Sequence, residues 1–314
     1  MDFSLSKPKR KKKFTLTDRK NILFIALVSF IPLLQFLVFY VYVNINSVIM
    51  AFQTYELDEA IGKGRYVFYG FNNFIRAYKE LTEGTLMLTA LKNSLIYFVI
   101  SLVIGKTTSI IFSFYIYKRK PLYKVFKIML FLPSILSSIV MILIYSYFVD
   151  FAMPHFISKI FGKTIEGLAS NPKTMFGTVM FFCIWSGYGG SVLMYVGAMS
   201  NISDSIIDAS KIDGCTGLQE FIHITLPMIY PTLSTLLIAS FAGFFTADMG
   251  LFSFYAENAE KEIYTVGYYL FRQTKVATIA QYPYLACLGM IYTIVTVPFV
   301  YLTRYLFNKF DPFK

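Results

Sequence analysis

Two short strings invite a reading as phosphate chemistry: Gly105-Lys106-Thr107 and Gly162-Lys163-Thr164. A phosphate-binding loop needs Gly-x4-Gly-Lys-Ser/Thr, so that successive backbone N–H groups wrap the phosphates. The earlier glycine would fall at positions 100 and 157, and these are Ile100 and Ile157. The first string also lies inside an apolar run. Neither binds a nucleotide. His155 and His223 have no neighbours at metal-ligand spacing, and Cys183, Cys215 and Cys287 have no zinc or redox spacing. Hydrolase and transferase chemistry needs paired acids, or a nucleophile with a base in reach. The chain lacks such a set and is not read as an enzyme. Its formal charge is +11. The basic residues sit at the ends and in short connections rather than on one face, so no nucleic-acid site is expected.

What remains is a small set of polar and aromatic side chains embedded in apolar sequence. Lys106 shares a helical face with Ser109, Ser113 and Tyr117. An ammonium near mid-membrane costs about 2.5–3.5 kcal/mol on insertion scales, so this face turns inward. Two roles suit it: contact with an anionic or hydroxyl-rich solute, or a structural pairing with carbonyls or a carboxylate of a partner chain. Asp248 shares a face with Phe241, Phe244 and Tyr255. On continuous helices Asp248 lies roughly 30 Å from the inner end of its run and Lys106 roughly 16 Å from that of its own. No direct salt bridge is expected between them. Asp248 is placed at the external mouth, on the solute path or simply solvated. Trp185, Tyr188 and Tyr195 offer rings with a polar handle, which suit the apolar faces and hydroxyl edges of sugars. Ser186, Gly190 and Gly197 form a small-residue face that lets another helix approach.

The elements that must position these groups are membrane helices. The 314 residues are 56% hydrophobic and only 15% charged, against about 25% charged in a soluble domain. A spanning helix takes about 20 residues. Six runs qualify: Ile22–Ala51, Leu91–Tyr117, Val125–Val149, Met175–Met199, Met228–Tyr255 and Tyr284–Phe307. The expected fold is all-α and polytopic, with a basic tail over 1–21 and a transmembrane domain over 22–314. The first run exceeds the core of a signal peptide, about 7–15 residues, and is read as an uncleaved first helix. Eight Lys/Arg precede it, and Lys118, Arg119, Lys120 and Lys124 follow the second run. Positive residues stay inside, so both termini are expected in the cytoplasm. Phe52–Ala90 is then external, with a short helix around Asn72–Lys79.

Between the fourth and fifth runs lies a polar hairpin, 203–227. It contains Asp208-Ala209-Ser210-Lys211-Ile212-Asp213-Gly214, nine residues, then Ile224-Thr225-Leu226-Pro227. Ser203 or Asp204 is expected to cap a first short helix, and Gly214 to end it in the left-handed conformation. Thr216 and Gln219 form a capping box for a second, which Pro227 should close. Ile206, Ile207, Ala209 and Ser210 are expected to offer a surface. Phe221, Ile222 and Leu226 are expected to pack on the membrane helices.

The spacing resembles the "EAA" signature of the membrane subunits of binding-protein-dependent ABC importers, with Asp208 for the usual Glu and Ser210 for the second Ala. Ile31-Pro32, Ala51-Phe52, Gly70-Phe71-Asn72-Asn73-Phe74, Leu91-Lys92-Asn93-Ser94, Leu132-Pro133, Trp185 and Gly187 are similar to elements of the maltose-transporter-type carbohydrate branch. Where that branch often has Thr-Gly-Gly-x-Pro after the fifth span, this chain has Ala256-Glu257-Asn258-Ala259.

The resemblance implies a type I importer permease fold in a bacterial cytoplasmic membrane, bathed in lipid. It implies half of a translocation path for an oligosaccharide, or for a glycerol-phosphate- or uronate-type solute. It further implies a second permease, two ATPase subunits and an external solute-binding protein as partners. ATP and magnesium would sit on the ATPase subunits, with no cofactor in this chain. Asp208, Ala209, Ser210, Gly214, Ile224, Leu226 and Pro227 would form the coupling element. Lys106, Trp185, Tyr188, Tyr195 and Asp248 would line the path. A gated channel is the remaining alternative, and it has no need of such a hairpin.

Overall fold

The computed structural model describes residues 16–58 and 63–313. The basic stretch Lys7–Lys13 lies outside them. Five helices among the described residues are long and apolar enough to cross a bilayer: Lys20–Ala51, Thr85–Tyr117, Ser138–Phe161, Met175–Ser200 and Ile279–Lys309. A sixth crossing is a bent pair, Gly217–Met228 with Tyr230–Ala242, at 71° to each other.

Two of the expected spans are not continuous helices. The third breaks at Leu136 and Ser137, which are extended, between Tyr123–Ile135 and the helix that runs on to Phe161. Pro133 lies just before the break, where its missing N–H weakens the helical ladder. The fifth ends at Ala242 rather than Tyr255. Its 13 residues reach about 20 Å, short of the ~30 Å hydrocarbon core. A run of turns through Gly250, at φ +63°, leads to the short helix Leu251–Tyr255. Irregular backbone at membrane depth is tolerated only where protein or a water-filled cavity covers it.

The two ends of the bundle differ. At the end opposite the hairpin, strands β1 (Gln53–Asp58) and β2 (Lys63–Phe68) pair antiparallel, with Tyr55 opposite Tyr66. An all-α reading therefore misses one small sheet. The helix Asn72–Glu83 follows, longer than the stretch expected. A second amphipathic helix, Val266–Val276, packs on the spans containing Thr85–Ile100 and Tyr282–Lys309, and its Tyr269 hydroxyl donates to Glu80 of the first at 2.6 Å. The largest core cluster lies here, joining Met87, Val179, Leu251, Tyr268, Cys287 and Leu288. Asn73 donates to the carbonyls of Ala51 and Gln53 at 3.0 and 2.8 Å. Asn93 donates to those of Glu262 and Tyr264 at 2.7 and 2.9 Å, and the Ser94 hydroxyl accepts from Val266 N–H at 2.9 Å. The family-like Asn-Phe and Asn-Ser elements thus tie irregular backbone to the spans.

Gly189, rather than Gly190 or Gly197, marks the close helix approach in the fourth span. A Cβ there would lie 2.3 Å from Ser134 Oγ, whereas Gly190 and Gly197 face open space.

Candidate functional site: a polar cleft and a coupling hairpin

The hairpin forms much as its residue types dictate. Its first helix is Asp204–Ile212. Ser203 takes the N-cap position, but its hydroxyl pairs with Ser205 at 2.7 Å instead of capping. The helix ends in a Schellman-type turn: Cys215 N–H donates to Ser210 carbonyl at 3.0 Å, and Gly214 stands at φ +75°. Thr216 and Gln219 make the capping box, with reciprocal bonds of 2.8 and 3.4 Å. Pro227 does not close the second helix. A widened turn over Phe221–Thr225 accommodates the proline, and the break falls two residues later at Ile229.

The hairpin's faces differ from expectation. Asp208 and Ala209 are exposed, as is Gly214. Asp208 accepts from Lys211 at 2.8 Å, and that bond holds the Lys211 ammonium above its ordinary pKa. Ser210 is buried, and its hydroxyl donates to Ile207 carbonyl at 2.7 Å. Ile207 is buried too, and with Ile224 and Leu226 it packs on Tyr195, Met199 and Ile110 of the spans. Ile207, Ile224 and Leu226 therefore hold the hairpin to the bundle, while Ser210 is buried within its own helix and Pro227 is half-buried. The solvent-facing apolar residues are Ile206, Ile212, Leu218 and Ile222. Ile222 was expected to pack inward. Ile212, at 86% exposure, is the most prominent.

Within the bundle, two adjoining cavities share Tyr97, Ser101 and Lys106. One, of about 240 Å³, lies against the fifth-span residues Ser240, Gly243, Phe244 and Ala247. The other, of about 150 Å³, lies against Cys183, Gly187, Tyr188 and Ser191 of the fourth span. Lys106 closes a widened turn, Ser101–Lys106, where the helix carries extra backbone per turn. Its neighbours on the expected polar face do not line the cleft. Ser109 and Ser113 are buried, and Ser113 donates to Ser109 carbonyl at 2.7 Å. No carboxylate lies within 4.0 Å of Lys106 among the described residues, as both ion pairs found there involve other lysines.

The other expected path residues separate. Tyr188 does line the cleft, with its hydroxyl 2.7 Å from that of Thr108. Trp185 does not: it packs with Tyr145 and Phe182, at centroid distances of 6.5 and 6.2 Å, in an aromatic cluster. Tyr195 is fully buried near the hairpin. Its direction follows from helix packing that its sequence neighbours do not reveal. Asp248 sits in the turns after the fifth-span helix, where its carboxylate accepts Gly250 N–H at 3.0 Å. The adjacent Met249 carbonyl accepts from Cys183 Sγ at 3.0 Å. Asp248 thus stabilises the irregular segment behind Ala247, and it forms no bridge to Lys106.

Sequence reasoning missed one buried charge. Glu220, 5% exposed, pairs with Lys118 at the end of the second span. In the sequence Lys118 carries only an orientation signal, and nothing local pairs it with Glu220. Tyr97, Ser101, Ser191 and Ser240 were also missed, because single hydroxyls in apolar runs carry no signal of which way they point.

A bundle of apolar helices with a broken fifth span, a hydroxyl-lined cleft and a protruding polar hairpin defines a multi-pass membrane transport subunit. Residues 98–313 match the family "Binding-protein-dependent transport system inner membrane component", and the chain belongs to it. It is similar to the arabinooligosaccharides transport system permease protein AraP of Bacillus subtilis, 27% identical over 67% of this chain and 66% of that one. It is also similar to the maltose/maltodextrin transport system permease protein MalF of Salmonella typhimurium, 28% identical over 59% of this chain and 37% of that one. The alignments thus span just under two-thirds of the first relative and little over a third of the second. The fold matches a chain of a bacterial ABC transporter involved in import of the acidic polysaccharide alginate, at TM-score 0.76 and 20% identity, covering 94% and 98% of the two chains. A second structure of a bacterial alginate transporter, in complex with a pentasaccharide-bound periplasmic protein, matches at TM-score 0.75 and 19% identity. These relatives are permeases rather than enzymes, and the importer-permease fold expected from the hairpin spacing is the one found.

Proposed function

We propose that this chain is one of two permease subunits of an ATP-driven importer in a bacterial cytoplasmic membrane, and that it carries a carbohydrate through the cleft around Lys106. The observation that carries this reading is a hydroxyl-lined cavity, between the second, fourth and fifth spans, in a chain whose hairpin exposes Ile206, Ile212, Leu218 and Ile222. Tyr97, Tyr188, Ser101 and Ser240 supply the stacking faces and hydrogen bonds that sugars use. The named solutes of AraP and MalF support the same class. An external binding protein delivers the solute, and two ATPase subunits hold the ATP and magnesium. The hairpin over 203–227 seats on one of them through Asp208, Ala209 and the exposed apolar residues. Both termini lie on that cytoplasmic side.

One observation favours an anionic sugar over a neutral one. The cleft contributes one formal charge, Lys106, and no lining carboxylate. This chain's half of a closed site offers that ammonium no counter-charge around a neutral solute, whereas a uronate would supply one. Uptake by cells carrying Lys106→Met in place of the natural allele tests both levels. Loss of uronic oligosaccharide uptake, with normal amounts of protein in the membrane, is the expected result. Loss of neutral oligosaccharide uptake alone would keep the carbohydrate reading and overturn the anionic one. Unchanged uptake of every carbohydrate also lost on deleting the chain would remove Lys106 from the path. A deletion strain with no carbohydrate uptake defect would overturn the function.

A further inference from the structure

The two walls of the larger cavity belong to different spans, and both connect to the hairpin. The fifth-span wall, Ser240 to Ala247, continues through Tyr230–Ala242 into the hairpin across the 71° bend. The second-span wall, Tyr97 to Lys106, has no covalent link to it. It runs about 18 Å further to Tyr117 and Lys118, and there the contact is made by side chains. Lys118 Nζ pairs with Glu220 Oε1 and lies 5.7 and 5.5 Å from the ring centroids of Phe114 and Tyr117. Phe114 in turn packs on Phe221 with centroids 4.8 Å apart. Glu220 is 5% exposed.

We infer that Lys118 and Glu220 are positioning residues: their ion pair is a strut through which hairpin movement displaces the second-span wall of the cleft. A buried carboxylate against an ammonium held by two rings resists separation far more than an exposed pair, because a parted charge would be left without solvent. The Asp208–Lys211 pair, on the solvent face, has no such constraint. A pull on the hairpin therefore reaches both cavity walls at once, one through the backbone and one through the strut. Without the strut the fifth span alone would follow.

The inference rests on the hairpin's seat on an ATPase subunit, so the experiment separates the two. In the assembled importer, Glu220→Gln and Lys118→Met should each lower solute uptake by about tenfold. ATP hydrolysis and cross-linking of a cysteine at position 208 to the ATPase subunit should persist. Lys118→Arg, which keeps both the charge for Glu220 and the cation over the two rings, should retain uptake where Lys118→Met loses it. Cysteines at 118 and 220, joined by a bifunctional thiol reagent about as long as the two side chains they replace, should leave uptake intact, since the strut holds throughout the cycle. Full uptake by Glu220→Gln or Lys118→Met, or loss of uptake in Lys118→Arg while position 208 still cross-links, would overturn the strut. Failure of position 208 to cross-link in the unsubstituted hairpin would instead overturn the seat itself.

Discussion

The end of the bundle opposite the hairpin and the half that bears the hairpin are held together by different forces. At the opposite end, directional bonds tie irregular backbone to the spans. Besides Asn73, Asn93 and Ser94, the Glu80 carboxylate accepts from Tyr269 at 2.6 Å and from Tyr284. Burial and that carboxylate push the Tyr269 phenol up, so it stays a donor at any physiological pH. Asp150 accepts Ala169 and Ser170 N–H at 2.7 and 3.2 Å, and the Ser170 hydroxyl at 2.8 Å. In the hairpin half the Lys118–Glu220 pair and the Tyr230 hydroxyl, donating to Phe307 carbonyl at 2.7 Å, are long-range ties, and other buried polar groups go unmatched. The buried hydroxyls of Ser109, Tyr195 and Thr225 have no partner among the described residues. Packing there is apolar, around Tyr195, Met199 and Ile229. Apolar contacts slide at lower cost than networks of buried hydrogen bonds break. The opposite end has the bonding of a scaffold, and the hairpin half has packing that can slide.

The largest test of this contrast is Gly267→Val. A Cβ at Gly267 would lie 2.7 Å from Thr246 carbonyl oxygen and 2.8 Å from Ala247 backbone carbon. All the nearest atoms are backbone of Thr246 and Ala247, so no flexible side chain can yield. The scaffold should fail as a unit, at a cost of about 4 kcal/mol or more, read as loss of folded protein from detergent extracts. A variant with normal melting temperature would break the scaffold reading.

Gly214→Val should behave differently. Gly214 has open space around it but stands at φ +75°. A branched residue there costs about 1–3 kcal/mol of local strain, confined to the turn between the two hairpin helices. The melting temperature of the bundle should change little while solute uptake is lost. Equal loss of both would mean that hairpin and scaffold unfold together. Normal uptake would free the turn from any coupling role.

The smallest effect sharpens the comparison from within the scaffold. Ala256 stands at φ +51°, ψ −120°, a conformation suited to glycine, in the stretch where related permeases often carry Thr-Gly-Gly. Tyr268 hydroxyl donates to its carbonyl at 2.8 Å and holds it there. Ala256→Gly should relieve the strain and stabilise the protein by about 1 kcal/mol, seen as a higher melting temperature. A lower one would mean that the strain is absent.

Much of the hairpin was legible in residue order, because caps and turns are local. Gly214, Thr216 and Gln219 act on backbone within a few residues of themselves, and the structure uses each as its type dictates. The same holds for the existence of the spans, since about 20 apolar residues have one stable way to lie in a bilayer. Tertiary structure decided which way the polar groups point. Past the break at Ala242, the backbone of Thr246 and Ala247 lies against Gly267 of the helix Val266–Val276, about twenty residues on. Lys106 and Tyr188 meet in one cleft while Trp185 and Tyr195 turn away, although all were equally plausible by type. Glu220 gained its partner from a lysine a hundred residues earlier. A side chain's direction on an all-round apolar helix is fixed by its neighbours' shapes, and those neighbours come from distant parts of the chain.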